Sequence, residues 1–222
     1  MSPMMSNRDH VRTRVGAALS GIAFACLILF SVMILAKADD DFMSAKDPGV
    51  FIDKLGAAAI HSLTAPDLNA NDRRQRFRDL LQKSFNVNGI ARFVLGRYWN
   101  AATEQERDEY LKLFEELIVR TYADRFSEYS GEKFTVAKVQ KDTEHANYAT
   151  VFSTIARPGG QMVHVDWRVR QETDQTWRVV DVVIEGVSMS ITQRSEFASV
   201  IESKGGTVKA LIDTLRQKVQ GA

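Results

Sequence analysis

The segment from Trp177 to Ser190 is the feature that most constrains how this chain can fold. It is nearly continuous in apolar and β-branched residues, and its acidic Asp181 is flanked by two valines on each side. Such a run predicts a strand that is covered on most of both faces. Gly186 ends the run, and Ser188 or Ser190 is suited to cap a helix that follows. We therefore expect apolar layers on both sides of this strand, and a strand-to-helix corner that can close a cavity.

From residue 134 onward, apolar and polar positions alternate with a period of two. The pattern predicts four strands, over 134–140, 148–157, 162–171 and 176–187. The connections between them are short and polar or rich in glycine, so the strands should form an antiparallel meander. In the third strand, apolar and polar residues alternate, so that the strand has one apolar face and one polar face. The apolar face carries Val163, Val165, Trp167 and Val169, and the polar face carries His164, Asp166, Arg168 and Arg170.

Helical periodicity dominates the rest of the chain. The best defined helix starts at Thr103, which forms a capping box with Glu106 ahead of an apolar stripe that ends before Gly131. The first predicted helix lies within 39–65, with its start set by Asp47-Pro48 and its stop by Ala65-Pro66. The other predicted helices cover about 71 onward, 90–99, 191–203 and 207–217. The fold class is therefore α+β, a curved four-stranded antiparallel sheet with helices packed over its apolar face.

The N-terminus has the order of a secretory signal. Basic residues precede an uncharged run over 15–36, and an Ala-Lys-Ala sequence ends at Ala38. These features predict a signal peptide over 1–38 and a single domain over 39–222. An uncleaved membrane anchor is the alternative, because about 20 apolar residues can span a bilayer. In both cases the folded part lies outside the cytoplasm.

Composition argues against several classes of function. The net charge is +1, and without residues 1–38 the chain has 25 Lys and Arg against 27 Asp and Glu. A chain so close to neutral is not suited to neutralise many phosphates, so we expect no nucleic-acid partner. Cys26 is the only cysteine and lies in the predicted signal peptide. The mature domain should therefore have neither a disulfide nor thiol chemistry.

Motifs for catalysis or metal binding are weak in this sequence. The histidines are scattered without metal-ligand spacing, and the chain has no nucleotide-binding or nucleophile motif. We therefore predict no metal site and no cofactor. Asp181 is the one candidate catalytic residue, because a carboxylate inside a buried strand can serve as a general base. The favoured alternative is an Asp on the solvent face or in an ion pair with Arg168 or Arg170.

The second predicted helix carries a basic cluster. Its members are Arg73, Arg74, Arg76 and Arg78. A solvated helix face is the favoured interpretation of such a cluster. Contact with an anionic headgroup or an acidic partner is the alternative.

Four stretches, taken in order, resemble a known family. They are Val94–Trp99, Ala102–Arg107, Val165–Arg168 and Ile184–Met189. Each stretch is weak evidence alone, but the ordered set is specific and the likeness covers about residues 50–218. The chain resembles the periplasmic lipid-binding proteins of the MlaC family, also called the toluene-tolerance family.

This resemblance implies a soluble carrier rather than an enzyme, with a bound lipid as its cargo. The cargo would be a phospholipid, held by its acyl chains in a lipid-sized apolar cavity between helices and sheet. The implied partners are an inner-membrane ABC transporter with its membrane-anchored lipid-binding subunit, and a lipoprotein and porin complex in the outer membrane. A hopanoid-lipid carrier of the same fold stays an alternative.

The long helix and the sheet both present wider apolar stripes than a thin two-layer core requires. We expect their facing sides to line the cavity. The predicted lipid-binding residues are Phe85, Leu95, Tyr98, Phe114, Leu117, Ile118, Trp167, Val180, Val182, Ile184 and Val187. Two other hypotheses remain open, namely a small pocket enzyme that uses Asp181 and a structural adaptor with a filled core.

Overall fold

A computed structural model describes residues 41–221 of the chain. The chain divides into two units, 1–38 and 39–222, and every described residue belongs to the second unit. The predicted signal peptide and Cys26 lie outside the described residues. Within 41–221, the structure contains no helix that is both long enough and apolar enough to cross a membrane.

The described residues form seven α-helices, five before the sheet and two after it. They are α1 (Pro48–Leu63), α2 (Ala70–Ser84), α3 (Val87–Leu95), α4 (Tyr98–Ala101), α5 (Glu104–Tyr122), α6 (Met189–Ser203) and α7 (Val208–Gln220). A 3-10 turn at Asp41–Ser44 precedes α1, and a second at Ala123–Glu128 follows α5. The capping box of Thr103 and Glu106 is present at the start of α5, as predicted.

The start predicted for the first helix at Asp47-Pro48 is confirmed. The helix α1 begins at Pro48, where the side chain of Asp47 accepts hydrogen bonds from the N–H groups of two α1 residues. Proline favours this first helical position because its fixed φ suits the helix and it has no N–H to satisfy. The third predicted helix has different limits, because Gly96, with a φ of 57°, ends α3.

The sheet is an antiparallel meander, as predicted, but it has five strands rather than four. The strands are β1 (Lys133–Lys141), β2 (Tyr148–Ala156), β3 (Met162–Gln171), β4 (Trp177–Ile184) and β5 (Val187–Ser188), hydrogen-bonded in sequence order. The prediction of a continuous fourth strand over 176–187 is wrong at its end. Glu185 and Gly186 have φ values of 49° and 80°, which suit a two-residue hairpin turn. The turn lets Val187 fold back beside Ile184.

A bulge in β4 controls which of its side chains face the helices. Arg168 pairs with Asp181 and Val169 pairs with Val179, so that Val180 has no partner in β3. The extra residue reverses the alternation of side chains in the second half of the strand. Val179, Val182 and Ile184 therefore share one face, while Asp181 and Val183 lie on the opposite face.

Two hydrophobic clusters form the interior of the described residues. The helical cluster contains buried residues of α2, α3, α5, α6 and α7, and its aromatic centre is Tyr110, Phe114 and Phe197. The sheet cluster packs α1 against one face of β2, β3 and β4, with Phe51 and Val151 both 0% exposed. Full burial of side chains of this size is the main stabilising contribution to such a domain.

Candidate functional site

The two clusters meet at Phe85, between α2 and α3. Phe85 is half-buried and is the one described residue that packs against both clusters. The backbone holds it beside β4, because the N–H of Asn86 donates to the carbonyl of Val179 at 2.9 Å and Phe85 forms a parallel bridge with Val179. We call this boundary between the helical cluster and the sheet cluster the seam.

Half-buried apolar side chains continue from the seam along the helix-covered face of the sheet. Trp167 and Val182 are paired across β3 and β4 and pack against the edge of the sheet cluster. Farther along the same face, Ile155, Val163 and Ile184 are half-buried and belong to neither cluster. A close-packed core would surround such side chains completely. These three side chains are therefore covered less completely than Val151 and Val169 at the centre of the face.

A hollow of about 450 Å³ opens to solvent beside Phe85. Phe85 and Val87 form its apolar wall, and the remaining lining residues are polar or charged, among them Asn86, Glu172 and Arg178. The side-chain amide of Asn86 donates to Glu172 at 3.0 Å, which ties the start of α3 to the loop after β3. The seam thus reaches the surface at a place where polar groups surround an aromatic ring.

The structure brings some of the predicted lipid-binding residues together. Phe85, Trp167 and Val182 all pack against the sheet cluster, and Ile184 lies beyond them on the same face. Leu117 and Ile118 are half-buried on the helical cluster. All six of these side chains are half-buried.

The other five predicted residues lie elsewhere. Leu95 and Phe114 are each 2% exposed within the helical cluster. Tyr98 reaches the surface, where its hydroxyl accepts from Arg97 at 2.8 Å. Val180 is the bulge residue of β4, and Val187 is 52% exposed in β5.

Sequence reasoning missed three half-buried apolar residues of the covered face. Ile155 and Val163 are cross-strand partners, and Phe134 of β1 pairs with Ile155. The ring of Phe134 also packs edge-on against Trp167, with centroids 6.2 Å apart. The signal was the alternation itself, because Val163 belongs to the predicted apolar face. Combining that face with the register of a meander identifies its neighbours.

Asp181 is buried in the role of an ion-pair and capping residue. Its carboxylate accepts from the Ser188 hydroxyl at 2.6 Å, from the Ser190 N–H at 3.1 Å and from Arg168 at 3.2 Å. The Ser188 hydroxyl in turn accepts from a backbone N–H in the first turn of α6. The pairing with Arg168 agrees with the interpretation of Asp181 as an ion-pair residue rather than a general base. All three contacts of the carboxylate are with groups that stabilise the fold.

The basic cluster on α2 is mostly engaged within the domain. Arg73 donates to the carbonyls of Leu63 and Leu68, and Arg78 bridges Glu115 and Glu116 of α5. Burial acts to raise the pKa of Glu116, but hydrogen bonds from Arg78 and Arg120 outweigh burial and hold this pKa below its usual value.

The remaining two arginines of this cluster also bond within the domain. Arg74 pairs with Asp124 at 2.5 Å, and exposed Arg76 donates to the carbonyl of Ser62. The cluster is therefore not a free cationic surface. Within residues 41–221, no group of three or more acidic or histidine side chains could hold a metal ion.

These elements define an α+β domain in which an open, five-stranded antiparallel sheet packs one face on helices, with a solvent-open hollow where the sheet cluster meets the helical cluster. The sequence profile described as MlaC protein matches residues 54–217. The chain belongs to the MlaC family, and the resemblance noted from its sequence is confirmed.

Two curated relatives and one solved structure support this assignment. The intermembrane phospholipid transport system binding protein MlaC of Haemophilus influenzae is 28% identical over 130 residues, which cover 57% of each chain. This chain thus spans little more than half the length of that relative. The toluene tolerance protein ttg2D of Pseudomonas putida is 21% identical over 157 residues, or 66% of this chain and 72% of the relative.

The solved structure is a phospholipid-binding protein from Ralstonia solanacearum in complex with a phospholipid. It superposes with a TM-score of 0.71 at 23% identity and covers 79% of this chain and 98% of its own. This likeness confirms the α+β fold with its antiparallel sheet.

Proposed function

We propose that this chain is a periplasmic carrier that binds a phospholipid by its acyl chains. Its route runs between the outer membrane and an inner-membrane ABC transporter. The partners are the transporter with its membrane-anchored lipid-binding subunit and a lipoprotein and porin complex in the outer membrane. Membership of the MlaC family over residues 54–217 is the observation that carries this proposal.

The thermodynamics of lipid transfer explain why a carrier is needed. Burial of one methylene contributes about 0.8 kcal/mol, so two acyl chains of about fifteen methylenes oppose transfer into water by about 24 kcal/mol. Free diffusion between membranes is therefore negligible. A carrier must bury the chains about as well as a bilayer does, because a much weaker site would not load and a much stronger one would not release.

We place the acyl chains between the helices and the covered face of the sheet, along β4. Five residue steps separate Val179, beside Phe85, from Ile184, or roughly 17 Å of strand at about 3.3 Å per residue. Phe85, Trp167, Val182 and Ile184 line this path, with Leu117 and Ile118 on the helical side. The half-buried state of all six side chains supports this location, since small outward movements of the helices would expose them to a ligand.

We propose further that the protein is not an enzyme. The contacts of Asp181 support this view, because each carboxylate oxygen accepts a hydrogen bond from the Ser188–Ser190 segment. We also propose secretion by the predicted signal peptide. The expected mature N-terminus is residue 39, and the protein should leave the cell in soluble form on osmotic shock.

Organic extraction of the purified domain, residues 39–222, tests the proposed cargo. The protein is prepared without detergent, and its extract is analysed by mass spectrometry with phosphorus determination. We expect about one phospholipid per chain and none above background from an unrelated periplasmic protein purified in parallel. A hopanoid in the extract would favour the alternative cargo. Absence of any lipid, together with no uptake from vesicles, would overturn the proposal.

A further inference from the structure

A second hollow, open to solvent and of about 420 Å³, lies on the outer sides of α3 and α6. Its lining includes Arg92, Phe93 and Trp99 from the α3–α4 region and Arg194 from α6. It shares no lining residue with the hollow beside Phe85. We call this second hollow the arginine groove.

The two arginines of the groove contact aromatic rings. The Arg92 guanidinium lies 5.6 Å from the Trp99 ring centroid, and that of Arg194 lies 5.0 Å from the Phe93 centroid. Neither arginine has an acidic residue three or four positions away on its own helix. Among residues 41–221, neither forms an ion pair or donates a side-chain hydrogen bond. Both groups therefore keep their charge and their N–H donors available to an anion.

Gly96 allows Arg194 to lie close against the end of α3. A Cβ atom at Gly96 would stand only 3.0 Å from the Arg194 guanidinium, and the φ of 57° at this position also favours glycine. The guanidinium is therefore held between the Phe93 ring and the backbone at the C-terminus of α3. The partial negative charge of a helix C-terminus favours a cation at this place.

Exposed apolar side chains lie next to these cations. Phe93 is 43% exposed and Ile191, one helical turn before Arg194, is 51% exposed. Cations beside exposed aromatic and aliphatic groups characterise surfaces that bind at the interface of an anionic bilayer. A partner protein of matched shape would more commonly cover a larger apolar area than these two side chains provide.

We propose that the arginine groove docks the carrier on a bilayer that contains anionic phospholipid. Arg92 and Arg194 hold headgroup phosphates, and Phe93 and Ile191 enter the interface. The inference rests on the proposed function, because a lipid carrier must approach a membrane to load or unload. The groove is nevertheless separate from the proposed acyl-chain path, so docking and cargo binding can fail independently.

Vesicle co-sedimentation of residues 39–222 tests this proposal. Residues 39–222 are used because they form one compact unit that contains every described residue. The protein is mixed with vesicles of phosphatidylglycerol and phosphatidylcholine, or of phosphatidylcholine alone, at low and high salt. We expect binding to the anionic vesicles that weakens as salt rises. Equal binding to both kinds of vesicle, or to neither, would overturn the proposal.

Variants identify the groove as the contact. Each basic residue near an anionic bilayer strengthens binding about fivefold, so the double variant Arg92→Gln, Arg194→Gln should bind about 25-fold more weakly. Phe93→Ser should also weaken binding without changing charge. The matched control is Lys141→Gln with Arg157→Gln, which removes the same charge from exposed positions outside the groove.

Two further measurements, competition by a soluble anion and lipid content, distinguish membrane docking from a small-anion site and from loss of cargo. Glycerol 3-phosphate at millimolar concentration should compete only weakly, because docking also uses the apolar side chains. Complete displacement by this soluble anion would identify a small-anion site and overturn the membrane assignment. Equal binding by the groove variant and the matched control would also contradict it. The lipid content of every folded variant is measured in parallel, and an unchanged content together with lost docking is the expected result.

Discussion

Asp181 shows how a charged residue can occupy the middle of an apolar strand. The β4 bulge directs its side chain away from the face packed on α1, toward the first turn of α6. There it accepts hydrogen bonds from the hydroxyl of Ser188, the residue that caps α6, and from the backbone N–H of Ser190 in α6. It also pairs with Arg168. Its carboxylate therefore joins the strand, the hairpin and the helix at one point.

Replacement of Asp181 by alanine should destabilise the domain without removing its function. The change leaves buried donors at Ser188 and Ser190 without acceptors, which costs about 2–4 kcal/mol in the free energy of unfolding. Urea denaturation measures this loss, and lipid content per folded chain should stay unchanged. Asp166→Ala is the matched control, because Asp166 is a half-buried residue of β3 that lies on the same face of the sheet as Asp181. Equal stabilities of the two variants would contradict the capping role.

At the scale of elements, β4 and its neighbours show what the sequence could reveal. The capping box of Thr103 and the alternation in β3 depend on local chemistry, so both were predictable from short stretches. The turn at Glu185 lacks the usual Asn-Gly signal, and a two-residue strand is too short to produce a pattern. The bulge at Val180 is also invisible in sequence, because it depends on pairing with β3.

Enlargement of a side chain distinguishes a cavity wall from a packed core. Val182→Trp places a ring in the proposed acyl-chain path, so lipid occupancy should fall more than stability does. Val151→Trp is the control, because Val151 lies in the same cross-strand row but is 0% exposed. Overpacking at that position should cost about 1–3 kcal/mol or more. Occupancy is measured by mass spectrometry and stability by urea denaturation. Equal destabilisation by both variants would indicate an ordinary core at Val182.

The contact between α2 and α5 depends on one arginine more than on its neighbours. Arg78 bridges Glu115 and Glu116 while its side chain is only 25% exposed. Arg78→Ala should therefore lower the free energy of unfolding by about 1–3 kcal/mol, because two half-buried carboxylates lose a partner. Arg76→Ala should change it by at most about 0.5 kcal/mol, since Arg76 is exposed. Equal melting temperatures for these two variants would show that the ion pairs do not stabilise the contact.

At the scale of the whole molecule, the fold class was predictable, whereas the half-buried positions of the covered sheet face were only partly so. Periodicity indicates which residues are apolar and which elements they form, but it does not distinguish a filled core from a cavity wall. Phe114 and Leu117 carry the same signal on α5, yet one is enclosed and the other half-buried. That difference is a property of tertiary packing rather than of local sequence.

Photo-crosslinking of the bound lipid tests the central claim, that a phospholipid lies between the helices and the covered sheet face. A benzophenone amino acid is introduced at Trp167, on that face, or at Phe152, a half-buried aromatic residue on the opposite face. After irradiation of the lipid-loaded domain, intact mass is measured. We predict an adduct of one phospholipid at position 167 and none at position 152. No adduct at position 167, or equal adducts at both positions, would contradict the account.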